Sequence, residues 1–233
     1  MITIRHAADR GHANHGWLDS HHTFSFADYY DEEQMGFRAL RVINDDTVAP
    51  SQGFGTHGHQ DMEILSYVLD GELSHRDSMG TVATLRAGDI QVMSAGTGVR
   101  HSEFNGNDQT PVHFLQIWIV PKVRGVKPRY ADARIPAIEK TNQLKLIASG
   151  APRDGALPIH QDADVYATML EPGKSVTLQI RPGRHAWVHL ARGSLSLNGQ
   201  TLATGDGAAI SDEAELQLQA GAEAAEALIF DLA

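Results

Sequence analysis

Sustained helical periodicity is scarce in this chain; what recurs is the short β-rich run. Such runs lie at 40–43, 62–69, 90–93, 112–120, 175–180, 187–190, 195–197, 216–218 and 227–230, and Gly, Asp, Asn and Pro punctuate the intervals between them. Runs of this length at this spacing predict an all-β sandwich or barrel. The segment 121–140 interrupts the pattern with three prolines and mixed charge, and reads as a linker between two β units.

An internal echo supports the division. The stretch YVLDGELSHRDSMGTVATLRAGDIQVMSAG (67–96) resembles HLARGSLSLNGQTLATGDGAAISDEA (189–214). Both run strand, Gly (Gly71 or Gly193), hairpin, Leu-x-x-Gly-Asp (Leu85, Gly88 and Asp89; Leu202, Gly205 and Asp206), then strand. A Gly-Asp pair suits a tight turn that needs positive φ and a side chain able to bond nearby backbone. A duplicated β-barrel unit follows, with domains expected at 1–135 and 144–233.

Composition narrows the chemistry. A formal net charge of −10 and no run of Lys and Arg argue against nucleic-acid contact. Cysteine is absent, which excludes disulfides, thiolate metal sites, Fe–S clusters and a cysteine nucleophile together. Any metal must be held by His and carboxylates, a set suited to Fe, Mn, Co, Ni, Cu or Zn. The polar opening MITIRHAADRG lacks a signal-length apolar stretch, and no apolar run is long enough to span a bilayer, so a cytoplasmic protein is expected.

Of 13 His, ten lie at or before residue 113. His57 and His59 form the one His-x-His, and chance alone gives about 0.7 such pairs in a chain of this composition. His101 and Glu103 are again two apart. Side chains i and i+2 on a strand point to the same face. If the two strands face each other inside a barrel, three imidazoles and one carboxylate converge on a shared centre and leave open positions for small ligands. By spacing, Glu63 competes: it lies four after His59, on the same face of an unbroken strand, and would serve either as ligand in place of Glu103 or as hydrogen-bond acceptor for a ligand imidazole. The plain alternative is that Glu103 pairs with Arg100 or faces solvent on a strand edge.

These residues resemble a cupin. HGHQDME is similar to the first cupin motif, His-x-His-x₃-Glu, with Gly71 following; GDIQVMSAGTGVRHSEFN is similar to the second, ending His101-x₃-Asn105. Ser94 stands where that motif usually has proline, and two extra residues separate Gly96 from His101. MSAGTGVRHSE is similar to the signature of the pirin family. The opening RGHANHGWLDSHHTFSFADYYDEEQMGFRALRVINDD resembles the pirin opening, particularly that of bacterial pirin-like quercetin 2,3-dioxygenases.

The resemblance implies an all-β bicupin: two cupin (jelly-roll-like) β-barrel domains packed together, the N-terminal one binding a divalent transition metal, usually Fe(2+). It implies His57, His59, His101 and Glu103 as the metal ligands, with Glu63 outside them. It implies a dioxygenase that cleaves flavonols such as quercetin with O₂ and releases carbon monoxide, Glu103 acting as general base. It also implies two alternatives: a cupin enzyme for another enolic substrate, or a metal-tuned protein-binding regulator.

The second half is expected to be metal-free. Aligned without gaps on Gly71 and Gly193, His57 and His59 fall on Gln179 and Arg181. Aligned on Gly88 and Gly205, His101 and Glu103 fall on Leu218 and Ala220. His160, His185 and His189 form no pair of the right spacing, and His185 and His189 read as packing or hydrogen-bonded residues. The early His12, His15, His21 and His22 lie in a stretch read as a loop leading into a strand near 23–26. At least one of them is expected to line a pocket mouth, and none to bind the metal, with Trp17, Phe24 and Phe26 as core or pocket wall.

Overall fold

The computed structural model describes residues 1–233, and apart from one turn of α-helix (Ala137–Lys140) and a short 3₁₀ turn (Ala7–Asp9) its regular structure is β. The chain divides into two compact units. The first comprises Gly11–Ile135 and Leu157–Gln161; the second comprises Met1–Arg10, Pro136–Ala156 and Asp162–Ala233.

Each unit is built from two antiparallel sheets. In the first unit the larger sheet has the order Arg129–Arg134, Asp89–Ser94, Glu63–Asp70, Val112–Ile119, Leu40–Val48, Leu18–His22, Gly11–Asn14. The smaller runs Gly53–His59, Val99–Asn105, Glu72–Asp77, Val82–Arg86. The second unit repeats this plan. Its larger sheet runs Ile2–Arg5, Gly207–Ile210, His185–Arg192, Ala225–Leu232, Ala163–Leu170, Lys145–Ser149, and its smaller runs Ser175–Gln179, Glu215–Ala220, Ser194–Leu197, Gln200–Ala203.

Alternation along each strand buries one face, and the two buried faces meet. In the first unit Leu73 and Leu85 of the smaller sheet pack with Val48, Val68 and Phe114 of the larger. In the second, Leu178, Leu216 and Leu218 pack with Val188, Ala208 and Ile229. Each such buried leucine, isoleucine, valine or phenylalanine contributes about 1.5–3 kcal/mol. The echo glycines do the same work in both copies. Gly71 (φ 76°) and Gly193 (φ 83°) stand in the left-handed region, and a Cβ on either would meet a backbone oxygen, that of Pro111 at 2.7 Å or Ala224 at 1.9 Å.

Two expectations about local structure change. The segment 121–140 is not a bare linker: Arg129–Arg134 adds to the larger sheet as an edge strand against Asp89–Ser94, a position where flanking prolines cost no ladder bonds. The opening is a hairpin of Gly11–Asn14 and Leu18–His22, so the strand expected at 23–26 ends at His22 instead. The turn between them is capped by Asn14, whose Oδ1 accepts from the Gly16 N–H at 2.8 Å.

Candidate metal centre

His57 and His59 lie on Gly53–His59, which pairs antiparallel with Val99–Asn105; His101 is directly opposite His57. The two strands are neighbours in one sheet rather than facing strands, and their side chains meet because opposed residues share a face. A register shift between His101 and Glu103 follows. Along Val99–Asn105, His101, Glu103 and Asn105 are buried while Arg100 and Phe104 are exposed, so Arg100 points away from Glu103.

Ring centroids of His57, His59 and His101 lie 4.5–4.9 Å from one another, and a ligand nitrogen from each falls within 4.8 Å of the other two. His57 Nδ1 donates to the Gly55 carbonyl at 2.8 Å, which leaves Nε2 free. His101 is 1% exposed, and neither of its ring nitrogens has a hydrogen-bond partner. A buried imidazole with two orphaned nitrogens is costly unless something binds it. Burial, reinforced by the neighbouring imidazoles, lowers the pKa of His59 to about 4 and of His101 to about 3, so both are neutral at physiological pH. A neutral imidazole cluster with a carboxylate and no thiolate fits a divalent transition metal.

Glu103 stands beside His101 in a second group of donors, completed by His75, whose ligand atoms also lie within 4.8 Å of one another. His75 was not singled out by its spacing. It is buried, its Nε2 lies 3.2 Å from Asp77 Oδ2, and its Nδ1 has no partner. The Glu103 carboxylate is held from the larger sheet. Its Oε1 accepts from Ser66 Oγ at 2.9 Å and Gln91 Nε2 at 2.5 Å, and its Oε2 accepts from Gln116 Nε2 at 2.7 Å. Tyr130 Oη donates to Gln91 Oε1 at 3.1 Å and so fixes which end of that amide faces Glu103. Ser66, Gln91 and Gln116 are the lone polar residues inside apolar runs, a signal visible in the sequence but pointing to no specific role there.

Glu63 is turned elsewhere. Asp61 (φ 48°) breaks the chain direction after His59, and Glu63 begins a strand of the other sheet, so the same-face argument does not apply. Its oxygens are taken by Ser94 Oγ at 2.7 Å and His160 Nδ1 at 3.2 Å. In the second unit His185 Nδ1 lies 2.8 Å from Ser211 Oγ, and His189 is fully buried.

Both His57 and His59, with Glu103 and Gln116, line a cavity of about 540 Å³, within the ~300–1,000 Å³ typical of small-molecule sites. Its walls are aromatic: Trp17 against Phe54, and Phe26 against Trp118, each edge to face. His12, His15 and His22 line it too. His12 is engaged by Asp19 at 2.5 Å and stacks on His21 with centroids 4.4 Å apart. Asp46, buried and hydrogen-bonded by Ser20 Oγ, also lines the cavity; burial raises its pKa to about 7.

The two units can be superposed residue by residue through their pairings. Asn105 opposes Leu73 as Ala220 opposes Leu195, and His101 opposes His57 as Leu216 opposes Leu178. The counterparts of His57, His59, His101 and Glu103 are therefore Leu178, Ile180, Leu216 and Leu218, one or two residues from the ungapped alignment. All four are buried in the second unit's core.

Two cupin barrels in one chain, one with a cluster of imidazole and carboxylate donors beside a cavity and the other with an apolar interior, define a bicupin. The pirin family model matches residues 3–119, and a quercetinase C-terminal cupin model matches 146–232. The chain belongs to the pirin family. It is 49% identical over 232 residues to a quercetin 2,3-dioxygenase of Escherichia coli K12, covering 100% of this chain and 99% of that one. The crystal structure of YhhW from Escherichia coli superposes with a TM-score of 0.96 at 48% identity, covering 100% of this chain and 98% of that one. A complex of the bacterial pirin YhhW with nickel(II) superposes at 0.94, also at 48% identity, over 100% of this chain and 99% of that one.

Proposed function

We propose that this protein is a metal-dependent dioxygenase that cleaves flavonols such as quercetin, with Fe(2+) as its metal and His57, His59, His101 and Glu103 as the ligands. The observation that carries this reading is the buried, unpartnered His101 grouped with His57 and His59 at the wall of an aromatic cavity, with a tethered carboxylate next to it. The nickel complex of YhhW and the activity named for the Escherichia coli relative support the same assignment. When bound, the divalent metal supplies Lewis acidity and a meeting place for the substrate oxygen and O₂.

The protein residues then divide the remaining work. Glu103 Oε2, which carries one donor where Oε1 carries two, takes the proton of the flavonol 3-hydroxyl. Ser66, Gln91 and Gln116 keep that carboxylate aimed while the proton is held. Trp17, Phe54, Phe26 and Trp118 flank the planar rings and exclude water. Both oxygen atoms of O₂ enter the ring-opened ester product, and the excised carbon leaves as carbon monoxide.

Aerobic turnover of quercetin by iron-loaded protein, with carbon monoxide detected and Glu103→Ala run beside it, tests this. Flavonol loss and carbon monoxide release that both depend on metal and on Glu103 are expected. Bound metal with no flavonol consumed would move the function to another substrate.

A further inference from the structure

The residues that hold Glu103 belong to a longer row. Across the larger sheet Gln91 is opposite Ser66, Ser66 opposite Gln116, Gln116 opposite Asn44, and Asn44 opposite His22. Residues directly opposed in antiparallel strands share a face. Gln91, Ser66 and Gln116 are consumed by Glu103. Asn44 continues the row one strand further, about 4.8 Å on, where no carboxylate waits for it.

Asn44 is 2% exposed, and its Oδ1 is buried without a hydrogen-bond partner although the residue lines the cavity. Two residues along the same strand, on the same face, Asp46 is 3% exposed and lines the cavity as well. Its Oδ1 accepts from Ser20 Oγ, and Ser20, opposite it in register, is a third lining residue. A polar patch in a wall otherwise made of Trp, Phe and Leu is built for a polar group on whatever fills the cavity. Asn44 brings an acceptor and an amide donor and Asp46 a carboxyl that donates when protonated, so a hydroxyl, which both gives and takes a hydrogen bond, fits this patch.

We propose that Asn44 and Asp46, positioned by Ser20, are specificity-determining residues that take a phenolic hydroxyl lying one strand beyond the 3-hydroxyl that faces Glu103. This rests on the flavonol reading above and names what that reading leaves open: a preference for flavonols hydroxylated on the pendant ring. The same patch would select, among planar aromatics of equal size, those with a hydroxyl facing it.

The test is an anaerobic binding titration of the metal-loaded protein, read by quenching of Trp17 and Trp118, which line the cavity. Quercetin is compared with the same flavonol lacking both pendant-ring hydroxyls, in the wild type and in Asn44→Leu and Asp46→Leu. The wild type is expected to bind quercetin roughly tenfold more tightly, as one or two hydrogen bonds allow. Each variant should shrink that ratio to about threefold or less while binding the dehydroxylated flavonol as the wild type does. Equal affinities in the wild type, or an undiminished ratio in folded variants, overturn the assignment and leave the flavonol reading standing. Failure of both flavonols to bind removes the flavonol reading and this assignment with it. Metal content and melting temperature report whether each variant folds, and equal affinities in the wild type overturn the assignment without them.

Discussion

The two barrels share a strand order and differ in what they put inside. Where the first unit has His57, His59, His101 and Glu103, the second has Leu178, Ile180, Leu216 and Leu218; where the first has Ser66, Gln91 and Gln116, the second has Val188, Ala208 and Ile229. The second barrel shows what the fold needs, which is an apolar interior. The first shows what a site costs: orphaned nitrogens on His101, a buried carboxyl on Asp46 and a buried row of amides, in an interior that hydrophobic side chains could otherwise fill. Polar residues there are a departure from the folding optimum and have to be explained by binding.

Giving the first barrel the second's residue is the sharpest way to break the comparison. His101→Leu should lower metal affinity by more than roughly 100-fold, beyond the 10- to 100-fold typical of residues that only support a ligand, as measured by metal content after dialysis against a weak chelator. The same variant, metal-free, should melt no lower than the metal-free wild type, because an unpaired buried imidazole has been removed. Glu103→Gln should keep part of the metal and lose roughly 10²–10⁴ in kcat, the range for a general base, as measured by flavonol consumption. The reverse exchange, Leu218→Glu, should confer no metal site, because no imidazoles surround it, and should destabilise the second unit by about 3–5 kcal/mol in chemical denaturation, as an uncompensated buried charge does.

Acidity separates the barrels further. His59 and His101 have pKa values lowered chiefly by burial, to about 4 and about 3, so the unfolded chain takes up protons first as pH falls below about 6.5. Their contribution to the stability of the metal-free protein therefore declines as pH drops from about 6.5 toward 4. The melting-temperature advantage of His101→Leu over wild type should widen over that interval, whereas the metal affinity of the folded protein should fall only as pH approaches about 4, where His59 begins to take up a proton. Asp46 has the opposite sign. Its pKa is raised to about 7, so the folded state retains a proton that the unfolded chain loses, and its contribution declines as pH rises from about 4 to 7. Asp46→Asn should raise the melting temperature by roughly 3 °C at pH 8 and by less at pH 5, the smallest effect of the set.

The sequence made the barrels legible because period-2 alternation and glycine turns act locally, and the Gly71 and Gly193 echo survives in the structure with the same positive φ. The His57–His59 and His101–Glu103 pairs were legible because i and i+2 share a strand face. Other features depend on pairing between distant strands, which spacing does not encode. These include His75 beside His101, the row that grips Glu103, the diversion of Glu63 to Ser94 and His160, and the strand Ile2–Arg5 that pairs with Gly207–Ile210 of the second unit. The bulge after His101 and the differing hairpin lengths also shifted the ungapped alignment by one or two residues.

The measurement that bears most directly on the central claim is an anomalous difference map from crystals of the iron-loaded protein, collected at the iron edge. One peak is predicted, in the first unit, within bonding distance of His57, His59, His101 and Glu103, with none inside the second barrel. A peak held by His75, His101 and Glu103 without His57 and His59, or one among Leu178, Leu216 and Leu218, would contradict it.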